Sequence, residues 1–189
     1  MNTLRLILGD QLNYQHSWYK TISEPTIYCM FEMRQETDYV KHHIQKVVGF
    51  FAAMQEFKKY LMSQGHKIVY LTLDDSSNHQ NLEENLSSLI HSLKISKFEY
   101  QSPDEYRLDA QLKTICKTLE ITTQVIDSEH FYTNRDELSV FFKGKKQFLM
   151  ERFYRDMRKK NHILMNGEQP EGGEWNYDKS NRNKWKGSP

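Results

Sequence analysis

The sequence predicts an α/β fold, a Rossmann-like, doubly wound parallel sheet of about five strands with flanking helices. Two observations support this prediction. Short apolar runs of strand length alternate with longer segments of helical periodicity. The first run, residues 4–8, is apolar except for Arg5 and ends at Gly9 and Asp10, which is typical of a strand buried on both faces of a parallel sheet.

The strands are predicted from runs rich in β-branched and aromatic residues, each followed by turn residues. We predict strands at residues 4–8, 26–31, 66–73, 97–101 and 122–126. Helix-length segments separate the last four of these strands, so right-handed crossovers between parallel neighbours are expected. The carboxyl ends of all the strands should then share one edge of the sheet.

Helical periodicity marks the segments between the strands. The longest helix is predicted over residues 38–64, where apolar side chains follow a 3.6-residue period. Thr37 or Asp38 can cap its start, and Gly65 suits the left-handed residue just past its end. Further helices are predicted near residues 82–93, 105–119, 135–142 and 147–160, with a short helical turn at 16–19.

Composition and charge narrow the functional classes. The 189 residues include 26 Lys and Arg against 25 Asp and Glu, so global charge favours neither nucleic acid nor a membrane as partner. No apolar run approaches the roughly 18 residues of a spanning helix, and no secretory signal is found. Cys29 and Cys116 are expected to be reduced thiols. We therefore expect a cytoplasmic protein with no membrane partner.

The chain is expected to divide near residue 160. Residues 1–160 carry the strand and helix alternation and two terminal helices, and they form the predicted α/β domain. Residues 161–189 are rich in Gly, Asn and charged residues, which is typical of a linker that needs a surface to pack on. Because the sequence ends within such a segment, at Trp-Lys-Gly-Ser-Pro, the chain is expected to be cut rather than finished.

Phosphate-binding and metal-binding motifs are missing from the sequence. No G-x-G-x-x-G follows a strand and no Walker-type Gly-Lys-Ser/Thr occurs, which counts against an ordinary dinucleotide or nucleoside triphosphate site. His42 and His43 are adjacent on a predicted helix and point about 100° apart, which does not suit a metal. A nucleophile elbow is missing too. No metal site and no catalytic residue is predicted.

Polar residues follow several of the predicted strands. They are Asp10 and Gln11 after the first strand, Glu32 and Glu36 after the second, and Arg107 after the fourth. If the strand order reverses beside the first strand, these groups converge on one crevice with Tyr39. Carboxylates beside an aromatic ring suit a flat, neutral heterocycle rather than a phosphate. The alternative is that they are the caps and turn residues of any α/β protein.

The predicted helix over residues 147–160 combines basic residues with interleaved aromatic ones. This pattern suits contact with a nucleic-acid backbone. The candidate nucleic-acid-binding residues are Lys145, Lys146, Arg152, Arg155 and Lys159. A charged stripe opposite an apolar one is also, and more commonly, the outer face of an ordinary surface helix.

Five separated motifs resemble the photolyase-related proteins, that is, the iron–sulfur bacterial cryptochromes and prokaryotic (6-4) photolyases. The motifs are Leu-Ile-Leu-Gly-Asp-Gln-Leu at 6–12, Glu-Thr-Asp-Tyr-Val-Lys-His-His-Ile-Gln-Lys at 36–46, Asp-Glu-Tyr-Arg at 104–107, Met-Glu-Arg-Phe-Tyr-Arg-Asp-Met-Arg at 150–158, and the stretch from Leu164-Met165 through Gly172-Gly173-Glu174-Trp175-Asn176 to Asn181-Arg182. They occur in order over nearly the whole chain, which makes the resemblance specific.

The resemblance implies a flavoprotein for light-driven DNA repair or blue-light sensing, of which this chain is the N-terminal antenna domain. FAD and a 4Fe-4S cluster are implied only in a larger, helical C-terminal domain that this chain lacks. Damaged DNA is the implied partner of the full-length protein, a DNA photolyase of the lyase class. This chain alone is not expected to be catalytic.

Within this chain the resemblance implies a pocket for the antenna chromophore 6,7-dimethyl-8-ribityllumazine. The implied pocket residues are Gly9, Asp10, Gln11, Leu12, Glu32, Glu36, Tyr39 and His43, in the crevice that the strand ends also predict, with Arg107 opposite. Glu36 is expected to bond the ring, Asp10 and Gln11 the ribityl hydroxyls, and Tyr39 to pack on the ligand.

Two other classes stay open from the sequence. A nucleotide-binding domain of the adenine-nucleotide hydrolase type shares this kind of fold, but it should show a phosphate-gripping glycine or a Ser/His motif. The second class is a non-catalytic interaction module whose basic segment, residues 143–160, binds DNA or a partner domain.

Overall fold

A parallel β-sheet organises the first two thirds of the chain. In the computed structural model, which describes residues 2–178 and residue 187, the strands are β1 (Thr3–Leu6), β2 (Thr26–Phe31), β3 (Lys67–Leu71), β4 (Lys97–Gln101) and β5 (Thr122–Ile126). They form a five-stranded sheet in the order β3-β2-β1-β4-β5. Every neighbouring pair is parallel. The predicted Rossmann-like α/β fold is therefore confirmed.

Helices connect these strands. They are α1 (Arg34–Thr37), α2 (Ile44–Ser63), α3 (Leu82–Ser92) and α4 (Tyr106–Thr118), with a 3₁₀ turn at Ser17–Tyr19. Strand β1 ends earlier than predicted, although Ile7 and Leu8 beyond it stay buried. Gly65 follows α2 with a φ of 89°, so the predicted left-handed residue is confirmed.

The sheet separates two apolar clusters. Leu4 and Leu6 of β1 pack into the cluster that α3 and α4 complete with Leu86 and Leu112. Ile7 belongs to the opposite cluster, which contains the α2 side chains Met54, Phe57 and Leu61. Burial of each such side chain contributes about 1.5–3 kcal/mol relative to exposure. The sheet is thus covered from two sides, as a doubly wound fold requires.

Helix α2 begins at Ile44. The predicted start at residue 38 is therefore wrong. The cap is His43, whose Nδ1 accepts a hydrogen bond of 3.2 Å from the backbone N–H of Gln45, and not Thr37 or Asp38. Val40 and Ile44 fit the helical period, but both are exposed, so the period does not mark a buried face at these positions. Residues 38–43 are not helical although the apolar period continues through Val40.

By its contacts the chain divides into two compact units, Met1–His130 and Phe131–Pro189. The second contains α5 (Glu137–Phe142), α6 (Met150–Asn161) and a hairpin of β6 (Met165–Asn166) and β7 (Gln169–Pro170). The expected domain of residues 1–160 followed by a linker stays a prediction. Asn181 and Arg182 of the fifth motif lie outside the described residues.

The β6–β7 hairpin lies in the segment for which the sequence predicted only a linker. Its two-residue loop starts with Gly167 at a φ of 58°, and glycine at this position favours a tight hairpin turn. Arg158 of α6 is buried and donates to the carbonyl oxygens of Ile163 and Leu164. These bonds fix the start of the hairpin to the end of the helix.

Two further observations concern the described part of the chain. No helix there is long and apolar enough to cross a membrane. Over the same residues, no group of three or more His, Cys, Asp or Glu side chains has an arrangement that could hold a metal ion. Cys29 and Cys116 are free thiols.

Candidate functional site

A cavity opens at the carboxyl ends of β1 and β2. Strand β1 lies between β2 and β4, so the strand order reverses beside it, and ligands of open α/β sheets bind at such a point. The cavity has a volume of about 160 Å³ and opens to solvent at its mouth. This volume is below the roughly 300–1,000 Å³ of typical small-molecule sites, so a ligand of that size would extend through the mouth. The structure thus has a cavity where the strand ends predicted a crevice.

The inner walls of this cavity are apolar. They consist of Leu6, Ile7 and Leu8 from β1 and its extension, Phe31 and Met33 at the end of β2, Val47, Phe50 and Met54 from α2, and Leu82 and Leu108 from α3 and α4. Walls of this kind favour a flat, apolar ring, because the ring gains from leaving water and from contact with Phe50. None of these wall residues was predicted as a site residue.

Gly9 lines the cavity and is packed closely against α2. A Cβ atom on residue 9 would lie 2.2 Å from Cζ of Phe50 and 2.9 Å from Sδ of Met54. The missing side chain therefore lets the Phe50 ring lie against the backbone that follows β1. Gly9 was expected to be a pocket residue, and the group that packs against it is the Phe50 side chain.

The mouth of the cavity is polar. Asp10, Glu36 and Glu105 contribute carboxylates, and Lys46 contributes the one ammonium group among the described lining residues. The Lys46 Nζ donates to Nδ1 of His42 over 3.1 Å. Apolar walls with a polar mouth suit a ligand that has a flat ring and a hydrophilic tail.

Arg107 lies beside the mouth and contacts residues that line it, but it does not itself line the cavity. Its guanidinium donates to Glu36 over 2.9 Å and to Glu105 over 2.9 Å, and it lies 4.7 Å from the centre of the Tyr39 ring. Burial lowers the pKa of Arg107, but the two carboxylates outweigh this effect and raise it. Arg107 therefore holds Glu36 and Tyr39, both of which line the cavity.

Asp10 experiences a negative local environment. Its surface is partly open to solvent, yet the surrounding protein removes enough water to raise the pKa of its carboxyl group. The charges of Asp104 and Glu36 raise this pKa further, while His130 lowers it. His130 Nδ1 lies 2.7 Å from Oδ2 of Asp104.

Gln11 is buried and does not line the cavity. Its Oε1 accepts a bond of 3.1 Å from the backbone N–H of Leu8, and its Nε2 donates to the carbonyl oxygen of Gln101 over 3.2 Å. The side chain thus joins the end of β1 to the end of β4. Leu12 also lies outside the lining, where it packs on the apolar cluster beneath α2.

Glu32 is buried and joins the ends of β2 and β3 to the middle of α2. Its carboxylate accepts bonds from Tyr70 Oη at 2.7 Å, from Gln55 Nε2 at 2.8 Å and from the backbone N–H of Leu73 at 3.1 Å. Burial and the neighbouring carboxylate raise the pKa of Tyr70. Neither Glu32 nor His43, the cap of α2, lines the cavity.

Comparison with known sequences decides the family of this chain. The sequence model of the deoxyribodipyrimidine photo-lyase-related proteins matches residues 5–189. The chain belongs to this family. The resemblance noted in the five motifs is therefore confirmed.

Two relatives of this photolyase-related chain align with it over different shares of their own length. A (6-4) photolyase from Agrobacterium fabrum is 33% identical over 184 residues, which is 96% of this chain and 36% of that protein. An uncharacterized protein of Acanthamoeba polyphaga mimivirus is 26% identical over 148 residues, which is 76% of this chain and 73% of that protein. The chain thus spans little more than a third of the length of the Agrobacterium relative.

The basic candidates lie in the second unit of the photolyase-related chain, and several have partners there. Arg155 pairs with Glu151, and Lys159 lies 3.4 Å from Glu168. The Lys145 ammonium lies 3.3 Å from the centre of the Phe141 ring. Lys146 and Arg152 are exposed. These contacts reduce the positive charge that the face can offer to a phosphate backbone, and DNA binding stays a prediction.

Proposed function

We propose that this chain is the antenna domain of a photolyase-related flavoprotein and that its cavity binds 6,7-dimethyl-8-ribityllumazine. One observation carries the proposal. At the switch point of the sheet, apolar walls meet a polar mouth that contains Asp10, Glu36 and Tyr39. Membership of the family supports a role in light-driven DNA repair or light sensing.

The chemistry of the cavity fits this ligand. The lumazine has a flat fused ring that suits the apolar walls, and a ribityl chain whose hydroxyls need acceptors and donors. The Gln11 side chain is already bonded to backbone groups, so Asp10 at the mouth is the better candidate partner for the hydroxyls. Tyr39 is half exposed beside Arg107 and can cover the edge of the ring.

Glu36 retains the capacity to accept a hydrogen bond from the ring. Its Oε1 accepts from Gln35 Nε2 at 3.1 Å and its Oε2 accepts from Arg107 Nη2 at 2.9 Å. Two carboxylate oxygens offer about four lone-pair sites, so further sites remain for an N–H of the ligand. The contacts from Arg107 and Gln35 fix the orientation in which those sites are presented.

The residues of this chain act by holding a chromophore. When bound, the lumazine would absorb violet to blue light and pass the excitation to a flavin elsewhere in the longer protein. The walls exclude water and the polar mouth fixes orientation, and no side chain here forms or breaks a bond with the ligand. We propose FAD, a 4Fe-4S cluster and damaged DNA as cofactors and partner of the longer protein, outside this chain.

A nucleotide-binding hydrolase-like domain is the competing proposal for the same cavity. The polyphosphate of a nucleotide would enter a mouth lined by Asp10, Glu36 and Glu105, and like charges repel it. A non-catalytic DNA-binding module would depend instead on the exposed Lys146 and Arg152 in the second unit. A steep loss of DNA binding with salt would support that module.

A spectroscopic titration tests the proposal. The purified chain is mixed with the lumazine, and absorption and fluorescence are followed to saturation, with ATP as a parallel ligand in a thermal-shift assay. We expect saturable lumazine binding and no shift with ATP. Glu36→Ala should weaken binding by about 1.5–3 kcal/mol, the usual contribution of a hydrogen bond to a charged group.

The control for this titration is Glu120→Ala, which removes an exposed carboxylate from the loop before β5. It should leave lumazine affinity unchanged. An absence of lumazine binding by the folded wild-type chain, or stabilisation by ATP instead, would overturn the proposed function. Binding that Glu36→Ala leaves unchanged would remove Glu36 from the site.

A further inference from the structure

The mouth of the cavity carries more negative than positive charge. Asp10, Glu36 and Glu105 line it, and Lys46 is the one lining cation among the described residues. Arg107 stands behind the lining and is shared between Glu36 and Glu105. Three carboxylates against two cations leave the mouth negative before other neighbours are counted.

The two cations near the mouth already have partners. Arg107 donates to Glu36 through Nη2 and to Glu105 through both Nε and Nη2, at 2.9–3.1 Å. Lys46 donates to His42 over 3.1 Å. A phosphate entering the cavity would have to displace or share these contacts, whereas the carboxylates would repel it without any rearrangement.

Asp10 lies where this negative charge is concentrated. Burial raises the pKa of Asp10, and the carboxylates of Asp104 and Glu36 raise it further. His130 opposes them, but it is paired with Asp104 at 2.7 Å. The negative charges that act on Asp10 would therefore also act on the terminal group of a ligand bound beside it.

The arrangement of apolar and polar groups sets the direction of a ring-bearing ligand. The ring belongs between the walls that include Phe50 and Leu108, and a hydrophilic tail then extends toward Asp10 at the mouth. A hydroxyl at the end of that tail can donate to the Asp10 carboxylate. A phosphate at the same position would place up to two negative charges beside it.

We infer that this cavity selects an uncharged heterocycle with a polyol tail over its phosphate ester, and that Asp10 is the main specificity-determining residue. The inference rests on the proposed function and deepens it by naming the class of ligand that the site rejects. Flavin mononucleotide and other phosphorylated ring compounds belong to the rejected class. The ligand must therefore come from a reaction that leaves the ribityl chain unphosphorylated.

The test compares two ligands that differ only at the end of the tail. Wild-type protein is titrated by fluorescence with 6,7-dimethyl-8-ribityllumazine and with its 5′-phosphate, at low and at high salt. We expect the phosphate to bind on the order of tenfold to a hundredfold more weakly at low salt. High salt should bring the ratio of the two dissociation constants closer to one, because salt screens exposed charges.

Two variants assign the effect to Asp10. Asp10→Asn should bring the ratio of the two dissociation constants severalfold closer to one, because the amide has no charge and nearly the same shape. Glu120→Gln removes an equal charge from an exposed position away from the cavity lining and should leave the ratio unchanged. Thermal unfolding of each variant establishes that it is folded.

The outcomes separate the inference from the proposed function. Equal affinity for both ligands would overturn the inference but not the proposed lumazine site. Tighter binding of the phosphate would do the same, and loss of that preference in Lys46→Ala would assign it to Lys46. A ratio that Asp10→Asn leaves unchanged would overturn the role of Asp10. Failure of the folded protein to bind either ligand would overturn the proposed function and the inference together.

Discussion

Arg107 and Glu36 are joined beside the mouth of the cavity, with Nη2 of the arginine 2.9 Å from Oε2 of the glutamate. The two residues belong to α4 and α1 and are 71 positions apart in the sequence. The ion pair therefore fastens the segment between β2 and α2 to the opposite helix. Through this contact a residue outside the cavity lining holds Glu36, which lines the cavity.

Arg107→Ala should loosen the segment between β2 and α2. We expect faster tryptic cleavage at Lys41, severalfold weaker lumazine binding, and a loss of about 1 kcal/mol or less in unfolding free energy, because the pair is partly exposed. Limited proteolysis, the fluorescence titration and urea unfolding measure these effects. Lys113→Ala removes the ion pair with Asp109 within the same helix and should change neither cleavage at Lys41 nor lumazine binding. Identical behaviour of the two variants would contradict the role of Arg107.

Glu32→Ala should destabilise the fold rather than act on binding alone. The buried carboxylate accepts hydrogen bonds from Tyr70, Gln55 and the backbone N–H of Leu73. The substitution would leave these donors without their acceptor. We expect a loss of roughly 2–4 kcal/mol in urea unfolding, and a smaller loss for Glu32→Gln, which keeps an acceptor oxygen. Glu56→Ala, at an exposed surface pair, should cost under about 1 kcal/mol. Equal costs at the two positions would show that the Glu32 bonds contribute little.

Gly9→Ala should create a clash with α2. The new methyl group would lie 2.2 Å from Cζ of Phe50, so we expect a loss of about 1–3 kcal/mol in unfolding free energy. Phe50→Leu removes the clashing atom, and Gly9→Ala should cost less in that background. A double-mutant cycle in urea measures the coupling between the two positions.

The control for the Gly9 substitution is Gly49→Ala on α2. Apart from its chain neighbours and the backbone of its own helix, a methyl group there meets no described atom within 4 Å, and alanine favours the helix interior. This variant should be more stable than the wild type by up to about 1 kcal/mol. If Gly9→Ala were equally harmless, the close contact with Phe50 would not exist in solution.

Glu99 should make folding stability sensitive to acid. Burial alone would raise its pKa, but hydrogen bonds from Lys97 and Arg5 outweigh burial and lower the pKa. Because the folded pKa lies below the unfolded value of about 4.3, the stabilisation is complete above that value and is lost as pH falls through the folded pKa. Urea unfolding between pH 7 and pH 3 should therefore show a shallower acid decline for Glu99→Gln. Glu120→Gln, at an exposed site, should retain the wild-type decline.

The sheet was predictable because its signal is local. Strands β2, β4 and β5 occur at the predicted residues, since each is a short run of β-forming residues bounded by turns. Helix α2 shows the limit of local signals. Its apolar period continues through Val40, but residues 38–43 are not helical and α2 begins at Ile44, although Val40 and Ile44 are both exposed.

The hairpin of the second unit was overlooked for a related reason. Polar composition suggested a linker, whereas its structure depends on Arg158, which fixes it to α6 through backbone carbonyls. Gly167 after Asn166 was the one local signal that could have indicated the turn.

The sequence by itself determined the fold class, the family and the end of the sheet at which the cavity lies. These follow from apolar periodicity, from motifs and from the rule that parallel strands share their carboxyl edge. Only the tertiary structure decided which polar residues face the cavity. Gln11 and Glu32 follow their strands just as Asp10 does, yet they bond to neighbouring strands and α2. The direction of a side chain after a strand depends on partners far away in the sequence, and local patterns do not contain that information.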